Sequence, residues 1–162
     1  MNIYMIDENP RVVARCVPDD VWERRLFDAV ELVSEGAAKW EGEDAVFICH
    51  DTKHSWVSWV NEYRQNWIWS LGYLHHLVDE LTGRRKNIDE RILSYADFIW
   101  GEYGMSAMIA SAPPRCVPKT FKLEEKTIKN TVMAYRRYIA FTFGLHETDI
   151  TKASRLHTNL DP

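Results

Sequence analysis

The chain has 162 residues, 46% of them hydrophobic and 27% charged, with 20 Lys/Arg against 24 Asp/Glu for a net charge of −4. That length suits one domain whose core needs neither disulfide nor metal to hold it, and 7 Gly and 6 Pro are too few for a disordered chain of this hydrophobicity. No uninterrupted apolar run approaches the roughly 20 residues that span a bilayer, and the opening MNIYMIDENP lacks the basic-then-apolar order of a signal peptide.

Charge is unevenly spread. Residues 1–51 hold 5 Lys/Arg against 12 Asp/Glu, and residues 115–137 hold 7 Lys/Arg against 2 Asp/Glu. The second stretch is a basic segment that could face a polyanion or simply form a solvated helix face. Cys16, Cys49 and Cys116 are widely spaced and include no C-x-x-C pair, which fits free thiols in a reducing cytoplasm.

The hydrophobic spacing predicts a mainly α fold: one compact domain over 1–162 with about five helices around one long central helix, and a loosely packed tail over 145–162. Asn9-Pro10 is a cap followed by Pro at the first helical position, predicting a short helix from Pro10 to Cys16. Pro18-Asp19-Asp20 opens a second helix, in which Trp22, Leu26, Ala29, Val30 and Val33 fall at helical spacing and Gly36 is the expected stop. From about Ser55 to Leu81 apolar residues repeat at threes and fours (Trp56, Trp59, Val60, Tyr63, Trp67, Leu71, Leu74), so this stretch is expected to be the central helix, ended by Thr82-Gly83. Asn87 is the expected cap of a fourth helix. Pro113, Pro114 and Pro118 predict an ordered connector, and a last helix is expected over Leu123 to Phe143. Only Ile3–Ile6 and Ala45–Cys49 look extended.

Dinucleotide, P-loop, zincin and nucleophile-elbow motifs are all missing. Cys49-His50-Asp51-x-x-His54 and His75-His76 are the nearest approach to a metal cluster. Adjacent His side chains on a helix diverge by about 100° and no second Cys pair completes a tetrahedral set, so no metal and no cofactor is assigned. His54 is then expected to cap or hydrogen-bond the start of the long helix. On the second helix, Arg24, Arg25, Asp28 and Glu31 set carboxylates against arginine. General acid–base work could use that arrangement, and an i,i+4 ion pair on a solvated face would equally explain it.

An aromatic and basic set completes the candidates. Arg64, Asn66 and Trp69 lie on the long helix, Arg115 and Lys122 in the Pro-rich connector, and Tyr135, Arg136 and Arg137 on the last helix. Rings that stack bases beside cations that neutralise phosphates describe a nucleic-acid surface. Trp56, Trp59 and Trp67 fall on the apolar stripe and are expected in the core. Trp69 falls off it and is the ring expected to be functional.

Several short motifs recur in order: N-I-Y-x-x-D (Asn2 to Asp7), H-x-x-x-x-W-V (His54, Trp59, Val60), R-x-N-x-x-W (Arg64, Asn66, Trp69), P-x-x-F-K (Pro118, Phe121, Lys122) and Y-R-R-Y (Tyr135 to Tyr138). Together they resemble a family of small, mostly phage-borne helical proteins, which in turn is similar to the phage pyrimidine-dimer DNA glycosylases. The resemblance implies a scaffold that exposes a DNA base, with Asp28 where the catalytic Glu stands, Arg24 or Arg25 near the supporting Arg, and His54 opening the long helix. Residue 2 is Asn, after which Met is normally retained, and Asp replaces Glu. Both departures point away from glycosylase/lyase chemistry through an N-terminal amine and leave the base-binding scaffold.

In a phage setting this scaffold resembles the enzymes of thymine hypermodification, and the expected function follows from that resemblance. It is transfer of an amino acid onto a 5-hydroxymethyluracil-derived base in double-stranded DNA, with loss of phosphate, in the cytoplasm of an infected bacterial host and without a membrane partner. The roles implied are Asp28 with Glu31 as base, His54 beside them, and Arg24, Arg64, Asn66, Trp69, Arg115, Lys122, Tyr135, Arg136 and Arg137 on the substrate or DNA. Two alternatives stand beside it: a base-excision enzyme of the pyrimidine-dimer glycosylase/AP lyase type, and a non-catalytic phage DNA-binding or host-interaction protein.

Overall fold

A computed structural model describes residues 3, 5–105, 109–121, 125–144 and 146. Among them lie six α-helices, one 3-10 turn at Lys119–Phe121, and no strand. The helices are α1 (Pro10–Arg15), α2 (Trp22–Trp40), α3 (Ser55–Val60), α4 (Arg64–Gly83), α5 (Glu90–Tyr103) and α6 (Ile128–Phe143). The mainly helical architecture expected from the periodicity is therefore present, with one helix more than expected. No helix among the described residues is long and apolar enough to cross a membrane.

α4 is the axis. It packs against α1, α2, α3 and α5 and buries an almost continuous run from Asn66 to Leu74 before its buried stripe narrows to Leu77, Val78 and Leu81. Such near-complete burial is what a helix surrounded by other helices requires. Ile3, Met5 and Ile6 are buried beside this bundle without forming a ladder. The Ala45–Cys49 stretch is likewise irregular, and the Phe47 N–H donates to Ser34 Oγ at 3.0 Å.

Four element boundaries depart from the sequence expectation. The expected long central helix is interrupted at 61–63. In an unbroken helix the Trp59 carbonyl would accept the Tyr63 N–H; here it accepts Asn66 Nδ2 at 2.9 Å and the Glu62 N–H at 3.3 Å, while Tyr63 is extended. One buried side-chain amide has replaced the helical bond. α5 starts at Glu90 because Asp89, not Asn87, accepts the Arg91 N–H at 2.8 Å. α6 starts at Ile128 because Thr127 is its cap and accepts the Asn130 N–H at 3.1 Å. The Asn9 cap of α1 is as expected, accepting from Arg11 N at 2.9 Å, with Cys16 as the C-cap.

The fourth departure is Gly36, which does not stop α2. The helix runs on to Trp40, and Gly36 sits where the Trp67 indole crosses it. The Trp67 N–H donates to the Val33 carbonyl at 3.0 Å from the same position. A Cβ on Gly36 would lie 2.7 Å from Trp67 Cγ, closer than carbon atoms approach without displacement.

Gly36→Ala should therefore destabilise the protein by about 1–3 kcal/mol through overpacking. An open helix position would instead gain about 1 kcal/mol from the same change. Urea unfolding of the variant reads the sign directly.

Asn66 supplies a second check. It donates to the Trp59 carbonyl and to Ser111 Oγ, and accepts from the Ala110 and Ser111 N–H groups at 3.1 and 3.3 Å. Asn66→Ala should cost about 1–3 kcal/mol for the buried groups left without partners. Amide exchange at Ala110 and Ser111 should accelerate, which hydrogen-exchange measurements resolve.

Candidate functional site

Carboxylate chemistry gathers on the first half of α2. Arg25, Asp28 and Glu31 are spaced at three residues, so each lies about 60° around the helix from the next. Arg25 and Asp28 are buried, 6% and 8% exposed, and Arg25 Nη1 donates to Asp28 Oδ2 at 3.0 Å. Burying two charges is costly unless they are paired and hydrogen-bonded, so this pair is a built feature of the interior. Arg24, the neighbour expected on the substrate, is exposed instead. The arginine paired with Asp28 is Arg25.

The groups around this pair respond to it. The Tyr73 phenol on α4 is fully buried, and burial raises its pKa well above the ordinary range, with Arg25 lowering it and Asp28 raising it. Its hydroxyl has no hydrogen-bond partner among the described residues. Glu31 is half-buried and holds its proton more tightly than an ordinary glutamate. Burial is the main cause; Asp28 and Glu35 add to it, and His50 opposes it.

His54 caps α3, its Nδ1 accepting the Trp56 N–H at 3.2 Å. That bond leaves the proton of the neutral ring on Nε2. Burial lowers its pKa, against the opposing pull of Asp51 and Asp28. At neutral pH the cluster thus combines a neutral imidazole, an anchored Arg–Asp pair and a carboxylate of raised proton affinity. These are the parts of a general acid–base centre.

The thiols are less suited to attack. Burial and the Asp7 charge push Cys16 up to about 11, and burial raises Cys49 as well. Neither forms the thiolate that nucleophilic catalysis uses.

A groove of about 670 Å³ opens beside the α3 N-terminus. Lys53, Ser55 and Trp59 line one wall, and Arg115, Cys116 and Lys126 the other. Ser55 Oγ and Cys116 Sγ meet across it at 3.5 Å. Lys53 and Ser55 flank His54 in sequence, and Glu62 adds a carboxylate to the groove's lining.

The remaining expected site residues divide sharply. Trp69 is not an exposed ring. It is 1% exposed, stacks on Tyr73 at 5.9 Å between centroids, and donates its N–H to the Glu8 carbonyl at 2.7 Å. Its place off the stripe is filled by the N-terminal segment. Tyr135 is also core, its hydroxyl donating to Pro114 O at 3.0 Å and accepting from Cys116 N. Asn66 is the buried amide at the α3–α4 break.

Of the cations, Arg136 is bound to the Ile6 carbonyl at 2.7 Å and to Asp7 at 3.1 Å. Arg64 is paired with Glu41 at 2.7 Å over the Trp67 ring. Arg115 lines the groove and donates to the Glu125 carbonyl at 3.2 Å. Arg137 is exposed on α6, and Lys122 lies outside the described residues. The structure therefore places Asp28 and Glu31 one turn apart on α2, with the Asp28 charge felt by both Glu31 and His54, and draws Trp69, Asn66, Tyr135, Arg64 and Arg136 into holding the fold. Tyr73, Lys53 and Lys126 were not singled out from the sequence. Tyr73 lies on an apolar stripe, where nothing separates it from a core aromatic.

Comparison with protein-family models, with curated proteins and with solved structures finds no match to this chain.

The raised pKa of Glu31 has a thermodynamic consequence. The fold binds this proton more tightly than the unfolded chain does. Its stabilising contribution is present below the ordinary value of 4.5 and is lost as pH rises through the raised value. Glu31→Gln, neutral at every pH, should be more stable than the wild type at neutral pH, with the difference closing in acid. Denaturant unfolding at the two pH values measures it.

Proposed function

We propose that this protein is an enzyme acting on a modified thymine in double-stranded DNA, transferring an amino acid onto the base with loss of phosphate. One observation carries the proposal: Glu31, a carboxylate of raised proton affinity, lies one turn along α2 from the buried Arg25–Asp28 pair, and a groove lined by Lys53, Arg115 and Lys126, with Glu62 among them, supplies the cations. The motif order described above supports the DNA-base scaffold.

In the proposed reaction the amino-acid nitrogen attacks the exocyclic methylene of a phosphomethyl-uracil base. The C–N bond forms as the C–O bond to phosphate breaks, and the phosphate leaves with the bonding electron pair. Glu31 takes the proton that the nitrogen sheds, and Asp28, fixed by Arg25, keeps the local field in place. The groove cations receive the DNA backbone and the departing phosphate, the role such side chains play on polyanions. Proton transfer by a positioned carboxylate contributes about 10²–10⁴-fold, so Glu31→Gln should lower turnover by that order while leaving DNA affinity unchanged.

Nucleoside mass spectrometry after incubation with phosphomethyl-uracil DNA and free amino acids tests the reaction. A base carrying the amino acid through a C–N bond at its exocyclic methylene is expected from the wild type and its near-loss from Glu31→Gln. Separately, Lys53→Ala, Arg115→Ala and Lys126→Ala should each weaken DNA binding and reduce the slope of log affinity against log salt by about 0.9 per phosphate contact. Borohydride trapping of a covalent adduct to abasic or dimer-containing DNA would move the assignment to base excision. Salt-dependent binding without turnover on any modified DNA would leave a non-catalytic DNA-binding protein, and no DNA affinity at low salt would overturn the nucleic-acid assignment altogether.

A further inference from the structure

On the face of α4 turned to α1 and α5, well apart in sequence from the carboxylate cluster, stand His75, His76 and Asp79. Adjacent residues on a helix diverge by about 100°. Asp79 lies four residues beyond His75 and three beyond His76, so it stands one turn along, over the gap between the two rings. The divergence is thereby closed: one ligand atom from each of the three residues lies within 4.8 Å of the others, and this is the one such group of three among the described residues. Among the described residues, Cys49, His50, Asp51 and His54 do not converge in this way.

We propose that His75, His76 and Asp79 bind a divalent transition-metal cation of the zinc class. Two nitrogens and one carboxylate oxygen are the ligand types this class takes. Bonds of about 2.0–2.1 Å to a tetrahedral ion place ligand atoms about 3.4 Å apart. His75 Nε2 and Asp79 Oδ2 are 3.5 Å apart already, so only His76 has to close in.

The surroundings hold the ligands in place. His75 lies flat on the Trp100 ring of α5, centroids 4.2 Å apart and planes within 1°, which fixes its plane as the outer partners of metal-bound imidazoles do. His76 is partly buried on the same helix, its ring 5.3 Å from that of His75. Arg11, Arg15 and Arg84 line the same side; Arg84 pairs with Glu80 at 2.9 Å and with Asp19 at 3.1 Å, and Arg15 approaches Glu80 at 3.9 Å. A cavity of about 560 Å³ lined by His76 and Asp79 opens on this side. Three protein ligands beside open space leave the fourth coordination position to water or to an added ligand, as in zinc sites that are not purely structural.

Calorimetric titration of the full chain with Zn²⁺ alone, and absorption spectra with Co²⁺ alone, test the site. One saturable equivalent is expected, with a cobalt spectrum of nitrogen and oxygen ligands. His76→Ala and Asp79→Asn should each weaken binding at least tenfold, roughly what loss of even an outer-shell partner costs. His50→Gln should leave it unchanged. Asp79 is exposed, so Asp79→Asn keeps the test valid even if His76→Ala perturbs the fold. Quenching of tryptophan fluorescence by Cu²⁺ should fall in Trp100→Phe. No Zn²⁺ binding, binding that survives Asp79→Asn, or a thiolate-to-cobalt absorption band would overturn the proposal.

Discussion

How α2 lies on α4 is decided where the Trp67 indole meets Gly36. With no side chain in the way, the ring rests on the α2 backbone and its N–H reaches the Val33 carbonyl. Gly36 and Arg25 are eleven residues apart, close to three turns, so they share one face of α2 to within about 20°. Seating the indole at one end of the helix therefore sets its rotation at the other. Arg25 is turned inward toward the Tyr73 region, Asp28 follows into the interior, and Glu31 is left half-buried at the rim. The charged cluster inherits its geometry from a steric fit three turns away.

The same device recurs around the molecule. Trp40, Trp59, Trp67 and Trp69 each give their single donor to a carbonyl of a different segment: Val60, Ser111, Val33 and Glu8. An indole covers a large apolar area and makes one directional bond, so each of these residues both fills the core and fixes a neighbour in position. This accounts for heavy tryptophan usage in a small domain. It also supplies the rigid support that a charged cluster needs if its groups are to stay at working distances.

Much of the helical architecture was legible in the sequence, because Leu, Val and Trp at threes and fours report burial on a helix whatever its neighbours are. The Asn9-Pro10 start and the capping role of His54 were legible for a similar reason, since both are local. Two of the boundaries that escaped depend on a side chain that another helix supplies. Gly36 reads as a stop until Trp67 is seen lying on it, and the break at 61–63 needs Asn66 to reach back to Trp59. At the candidate site, Asp28, Glu31 and His54 were legible as residue types at suitable spacing. Arg24 and Arg25 were indistinguishable without the helix rotation. Trp69 looked free because the segment that covers it, ending at Glu8, lies sixty-one residues away in sequence. Exposed cations and structural ones look alike in a sequence, and Arg136 was the second kind.

The Pro-rich connector after α5 is held in an unusual way. Trp59 and Tyr135 grip the carbonyls of Ser111 and Pro114, Asn66 receives the N–H groups of Ala110 and Ser111, and the Tyr135 hydroxyl receives that of Cys116. Most of these bonds are to main-chain atoms, which every residue but proline offers alike, beside the Ser111 Oγ and Cys116 Sγ contacts and the buried Val117 side chain. Side chains such as Arg115 can therefore be exchanged without unseating the segment that carries them. In evolutionary terms the groove has a replaceable wall on a fixed mount, so relatives could change what they recognise by substitutions in this short stretch while the helical core stays the same.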